Sequence, residues 1–270
     1  MNPSLVRELR IETPRRVGGG CIHQCYAVRI DGVTRFLKVN EQRYADAFAA
    51  EADGLTALRA ARLAAPEPLS HGVAGRQAFL LLEHLNLDGP ADFAALGRML
   101  ADAHRAPGPR FGWQRDNYIG ATPQDNGWSD DWALFWRERR LAPQLLLAEK
   151  NGFRLEAAGL GELLRNHRPQ PSLLHGDLWS GNAGFTPAGP VLFDPAVYYG
   201  DREADLAMTE LFGGFPAQFY DAYHEAFPLP GGYETRKHLY NLYHLLNHLN
   251  LFGGGYLQQV QAVLRLLLVG

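Results

Sequence analysis

The chain has 270 residues, 46% of them hydrophobic and 20% charged, which is ordinary globular usage and enough length for one large domain or two lobes. A formal net charge of -3 and a pI near 6.4 leave no basic face to neutralise nucleic-acid phosphates or to dock on anionic membranes, so small soluble partners are expected, with no nucleic acid and no membrane. The two cysteines, Cys21 and Cys25, match neither a CxxC redox pair nor half of a four-ligand zinc site, which excludes a disulfide framework.

Met1 to Glu12 lacks the basic flank and apolar block of a signal peptide, and no apolar run is long enough to span a bilayer, so a cytoplasmic protein is expected. From Val17 to Ile30 a glycine cluster runs into Tyr26-Ala27-Val28-Arg29-Ile30. Asp31-Gly32 then gives a turn signal before Thr34 to Val39, which predicts a hairpin. Lys38 therefore lies on a second or third strand. Arg43 to Leu63 has helical apolar spacing and is closed by Pro66 and Pro68, which places Glu51 on a helix. Gln77 to Leu82 reads as a strand, and Glu83 to Leu87 as a polar connector into a helix carrying Ala95, Leu96, Met99, Leu100 and His104. The texture changes there, and two lobes are expected, 1–86 and 87–270. From Phe93 onward the chain reads as helical apart from Ser172 to Asp177 and Val191 to Asp194, two extended segments that each end in an aspartate.

His175-Gly176-Asp177-Leu178-Trp179-Ser180-Gly181-Asn182, followed by Phe193-Asp194-Pro195, has the spacing of a kinase catalytic loop and its metal-binding aspartate. Phosphoryl transfer needs a carboxylate near the attacking hydroxyl and fixed hard oxygens for Mg²⁺, and Asp177, Asn182 and Asp194 supply them. The competing reading is a turn whose Asx side chains satisfy local amides. His175 is assigned a bracing role rather than that of a base. Gly18, Gly19 and Gly20 suit a turn whose backbone approaches phosphates closely, although a plain glycine-rich hairpin fits the same residues. A single strand lysine such as Lys38 is usually a solvated one, but its order, after the glycines and before Glu51 and the catalytic loop, matches the lysine and glutamate that grip nucleotide phosphates.

With these motifs in order the sequence resembles the fructosamine kinase family, or ketosamine 3-kinases, relatives of the aminoglycoside phosphotransferases. Further marks are Gly54-Leu55, Phe111-Gly112 through Asn117, Pro123-Gln124, Asn126 to Trp128, Phe193 to Ala196, Tyr199 to Glu203 and Asp205 to Met208. The resemblance implies an α+β, two-lobed protein-kinase-like fold, with a small sheet-bearing N-lobe, a larger mostly helical C-lobe, and ATP between them. It implies ATP-dependent phosphorylation, at the 3-position, of a ribulosamine, erythrulosamine or fructosamine, free or on a protein lysine, promoting deglycation. The alternatives are a kinase of another small alcohol or aminoglycoside, and a non-catalytic nucleotide-binding module. On matching positions, Asp177 accepts the hydroxyl proton, Asn182 and Asp194 hold Mg²⁺, and Trp179 offers a face for the sugar. Gly18, Gly19, Gly20, Lys38 and Glu51, with Glu83 and Leu85 of the connector, contact ATP. Asp205 braces the catalytic loop. A monomer or weak homodimer is expected, and Cys21 is a candidate site of oxidative inhibition.

His238, His244 and His248 sit on a leucine-rich helical stretch and read as core hydrogen-bonding groups rather than metal ligands, since the HExxH glutamate is absent. Trp128, Trp132, Phe135 and Trp136 fall at helical spacing and read as core or as the wall of a substrate groove.

Overall fold

A computed structural model describes residues 1–18 and 22–269. The chain forms two compact units, Met1–Asp92 with Ala183–Pro195, and Phe93–Asn182 with Ala196–Gly270. Set beside the lobes expected from sequence, 1–86 and 87–270, the first unit runs on to Asp92 and regains a second segment much later in the chain.

The first unit is built on an antiparallel sheet of β1 (Thr13–Val17), β2 (Gln24–Ile30), β3 (Val33–Glu41), β4 (Pro68–Ala74) and β5 (Gln77–Glu83), in the order β1-β2-β3-β5-β4. Asp31 (φ 47°) and Gly32 (φ 76°) join β2 to β3, and two successive left-handed residues make the tight turn whose twist suits a hairpin. The edge strands carry Pro14, Arg15 and Arg16 on one side and Pro68 and Gly72 on the other, residues that discourage pairing with another chain. Helix α1 (Pro3–Glu8), capped by Asn2 Oδ1 on the amides of Ser4 and Leu5, buries Leu5 against Leu37, Val39, Phe79 and Leu81. Because side chains alternate along a strand, Lys38 and Leu80 face the other way, toward α2 (Ala45–Ala60). Strand β5 is thus covered on both faces and is apolar from Ala78 to Leu82. Helix α2 ends with Arg62 at φ 64° and the Leu63 amide bonded back to the Leu58 carbonyl, a Schellman-type stop. The returning hairpin, Ala183–Thr186 with Gly189–Leu192, is tied in by Leu192 N–H to Ala64 O and Gly89 N–H to Phe185 O.

The second unit is mostly helical: α3 (Phe93–Arg105), α4 (Trp132–Trp136), α5 (Ala142–Lys150), α6 (Arg202–Leu211), α7 (Ala217–Ala226), α8 (Tyr233–Phe252) and α9 (Leu257–Val269). Its core gathers Trp132, Phe135, Trp136, Tyr198, Ala207, Leu242, Leu246 and Val260 around α8. Gly97 lets α3 and α7 touch, for a Cβ there would lie 2.3 Å from the Phe219 carbonyl oxygen. Trp128 departs from the expected aromatic helix. Asp131 accepts the Leu134 amide and so starts α4 only at Trp132, leaving Trp128 in the preceding loop and exposed. No described helix is long and apolar enough to cross a membrane.

Candidate active site

Within the first unit, the central position of β3 puts Lys38 opposite Cys25 and Leu80, and the residue is 4% exposed. Its Nζ donates to Glu51 Oε1 of α2 at 2.6 Å and to Asp194 Oδ1 at 2.5 Å. Burial disfavours the ammonium, but the two carboxylates outweigh it and hold Lys38 charged well above the usual lysine range. One cation shared between two anions leaves a deficit, and it shows at Glu51. Burial pushes that carboxyl up to about 6, with the repulsion of Asp194 adding to it against the pull of Lys38. Asp194 holds a left-handed backbone, φ 59°, where a β-carbon is crowded and where an aspartate fares better than most residues. Its carboxylate is half-exposed.

Within the second unit, strand Ser172–Leu174 pairs with Tyr198–Gly200 and delivers the loop His175–Asn182. The buried Asp205 of α6 accepts the His175 amide at 2.7 Å and the Gly176 amide at 2.9 Å, and lies 3.3 Å from His104 Nε2. Burial opposes its charge most strongly. The hydrogen bond and charge of His104, with His175 and the Gly176 amide, overcome that and hold Asp205 below the usual carboxylate range. Gly176 is required at φ 81°, since a Cβ would meet the Ala196 carbonyl oxygen at 2.1 Å. The Asp177 amide reaches His175 Nδ1 at 3.3 Å, consistent with a bracing histidine. Asn182 Nδ2 donates to the Asp177 carbonyl at 2.8 Å and to Asp177 Oδ2 at 3.2 Å. Both partners are oxygens, so the amide orientation is fixed and Oδ1 is left as the hard donor.

The expected residues therefore fall into two sets, Lys38, Glu51 and Asp194 in one unit, Asp177 and Asn182 in the other. Trp179 is 37% exposed, packs edge-on to Phe212 at 6.2 Å, and is pressed by the chain at Gly181. Glu83 closes β5, with its amide on the Glu67 carbonyl and its Oε2 accepting the Glu67 amide, while Leu85 follows half-buried in the connector. A Cβ at Gly18 would meet nothing within 4 Å among the described residues, and Gly19, Gly20 and Cys21 lie outside them.

The helix histidines depart from the expected pattern. His248 Nδ1 bonds the His244 carbonyl, but His244 is buried with its Nδ1 unpaired among the described residues. Burial, then His248, lowers its pKa to about 3. Sequence reading places His104 on α3 without assigning it a role. It joins Asp205 to the Tyr223 hydroxyl at 2.9 Å, and a lone polar residue on the buried face of α3 was its one signal. A cluster of His167, Asp201 and Glu203 has metal-like spacing, yet Asp201 is taken by Tyr240 and His167, and Glu203 by a bidentate Arg236, so it is a satisfied ionic network.

The fructosamine kinase family model matches residues 1–269. The probable ketoamine kinase of Synechocystis is 49% identical over 267 residues, covering 95% of this chain and 90% of its own length. A solved Haemophilus somnus structure, provisionally named a fructosamine-3-kinase, superposes with a TM-score of 0.91 at 32% identity, over 98% of this chain and 96% of that one. An aminoglycoside phosphotransferase structure matches at a TM-score of 0.65 and 14% identity, over 97% of this chain and 96% of that one, which speaks for the kinase-like fold alone. The family model and the relatives agree along nearly the whole sequence: this chain is a small-molecule kinase that belongs to the fructosamine kinase family.

Proposed function

We propose that the protein transfers the γ-phosphate of ATP to the 3-hydroxyl of a ketosamine, the rearranged adduct of a sugar and an amine, so that the phosphorylated sugar is shed and the amine restored. The observation that carries the reading is Lys38 Nζ, buried and held by Glu51 at 2.6 Å and Asp194 at 2.5 Å. A fixed cation of this kind neutralises phosphate oxygens, and phosphoryl transfer is largely positioning and charge neutralisation. Gly18 to Gly20, Glu83 and Leu85 contribute to holding the nucleotide.

Asp177 orients the attacking hydroxyl and accepts its proton as the bond to phosphorus forms and the bond to the leaving ADP oxygen breaks. The brace from Asp205 fixes the backbone on either side of His175, two residues before Asp177, and so bears on the position of that carboxylate. The Asn182 amide oxygen and the Asp194 carboxylate are hard donors that fit Mg²⁺, which when bound offsets the negative charge of the phosphates. Trp179 presents its exposed face to the C–H side of the sugar. Free ketosamines and glycated lysines on proteins are both within this reading, with the protein acting in the cytoplasm as a monomer or weak homodimer.

The test is Mg²⁺- and ATP-dependent phosphate transfer to synthetic ribulose-, erythrulose- and fructose-lysines, with aminoglycosides and choline as controls. Turnover of a ketoamine, lost in Asp177→Ala while ATP binding is retained, supports the reading. Turnover of the controls alone discards the substrate class, and full turnover by Asp177→Ala discards the mechanism.

A further inference from the structure

Next to Lys38 on the same face of the sheet is a latch made by two residues outside the machinery above. Side chains alternate along β3, so Asn40 shares the α2-facing side with Lys38, and the register Gln24 to Val39 brings His23 beside Asn40. Asn40 Nδ2 lies 3.0 Å from the Ile22 carbonyl oxygen and 2.9 Å from His23 Nδ1, while Asn40 Oδ1 accepts the Glu41 amide at 2.8 Å. The Ile22 carbonyl only accepts and the Glu41 amide only donates, so the carboxamide has one possible orientation. Its NH₂ group faces His23 Nδ1, which must then be the acceptor. The imidazole proton is thereby confined to Nε2.

The ring is fixed from the other side by Phe48, at 4.7 Å between centroids, and by Tyr44, edge-on at 5.4 Å. The charged groups acting on it are Lys38 and Asp194; Tyr44, Phe48 and Asn40 are the neutral groups packed or bonded to it. Burial first, then Lys38, lowers the pKa of His23 to about 4, against a smaller opposing effect of Asp194. Protonation at Nδ1 would also set two donors face to face. The residue is thus a neutral N–H donor close to a phosphate-gripping lysine, at the point where the chain leaves its glycine cluster.

We infer that His23 is a phosphate-binding residue for a nucleoside triphosphate and that Asn40 is the positioning residue that holds its ring in the Nε2–H form. The inference rests on the ATP-kinase reading given above. A neutral donor suits this place, because it can bond a phosphate oxygen without competing with Glu51 and Asp194 for the charge of Lys38.

The experiment combines imidazole ¹³C and ¹⁵N shifts of the nucleotide-free protein with calorimetric ATP binding in the absence of acceptor. Wild-type His23 should report the neutral Nε2–H tautomer from pH 5 to 8. N40A should release the ring to a mixture of tautomers and weaken ATP about tenfold, with the acceptor KM unchanged. H23F, which keeps the ring packing but has no N–H, should lose the same amount, and H23Q, whose amide nitrogen falls near the lost Nε2, should recover most of it. Melting temperatures of all variants are compared to exclude unfolding. An Nδ1–H tautomer in the wild type, or ATP affinities of N40A and H23F within twofold of wild type, overturns the latch. Failure of the wild type itself to bind ATP overturns the kinase reading and the latch together, whereas normal wild-type binding with unaffected variants removes the latch alone.

Discussion

The side-chain carboxylate of Asp205 accepts the backbone amide of His175, Oδ2 to N, at 2.7 Å. The contact is one of three on a buried carboxylate, with the Gly176 amide and His104 Nε2 as the others. Asp205→Asn would turn an NH₂ group against one of these donors. The expected outcome is a loss of about 3 kcal/mol of stability in denaturant titrations, together with a fall in kcat far larger than any change in ATP affinity. Retained kcat in a folded variant would show that the brace does not set the position of Asp177.

On the proposed nucleotide role of Lys38, the shared cation is expected to make ATP binding sensitive to acid. Glu51, raised to about 6, is a carboxylate at neutral pH and takes up a proton as the pH falls through that value, which weakens its hold on Lys38. Relative to an unfolded glutamate its stability contribution has the opposite sense, present below the ordinary glutamate range and lost as the pH rises through about 6. ATP affinity should therefore weaken below pH 6 while the apoprotein does not lose stability from this group. Glu51→Gln should bind ATP weakly and with little pH dependence over the same range. Calorimetry between pH 5 and 8 decides the matter, and parallel pH profiles for the two proteins would contradict it.

His244 sets an acid limit on the fold. Its folded pKa of about 3 lies below that of an unfolded histidine, so the unfolded state takes up the proton first and stability is lost as the pH falls from the usual histidine range toward 3. At about pH 5 the loss amounts to roughly 2 kcal/mol, from ~1.4 kcal/mol per unit. His244→Leu removes both the titration and the unpaired Nδ1, and should flatten the stability profile between pH 6.5 and 5. Denaturant midpoints that fall equally in both proteins would assign the acid sensitivity to other groups.

Arg62 offers a gain. It occupies the left-handed position after α2 where glycine has no steric cost. Arg62→Gly is expected to stabilise by about 0.5–1 kcal/mol, visible as a higher melting temperature with unchanged activity. A lower melting temperature would mean that the arginine side chain makes contacts that outweigh the backbone strain.

The sequence was most legible where chemistry is concentrated in short motifs. Asp177 with Asn182 is marked by the spacing of one motif, and the strand lysine with a helix glutamate by their order along the chain, and geometry brings the members of each pair together. Elements defined by what they lack were harder to see. Strands β1 and β4 are edges with proline, arginine or glycine and little alternation, so no period of two marks them. Helix α1 is a single short turn and more that depends on Asn2 and one buried leucine. Long-range polar partners were invisible for a different reason. His104 and Asp205 are 101 residues apart, and Asn40 looks like any polar residue at a strand end until its three hydrogen bonds are traced.

The return of Ala183–Pro195 to the first unit has a consequence for the order of events during synthesis. Lys38 and Glu51 leave the ribosome early, but Asp194, bonded to Lys38 across 156 residues, comes only after the Phe93–Asn182 segment of the second unit has been made. Until then the buried ammonium has one carboxylate partner instead of two, and the carbonyl of Ala64 waits for the Leu192 amide. The N-terminal unit is therefore finished late although it begins first, and no single cut in the gene can release it whole.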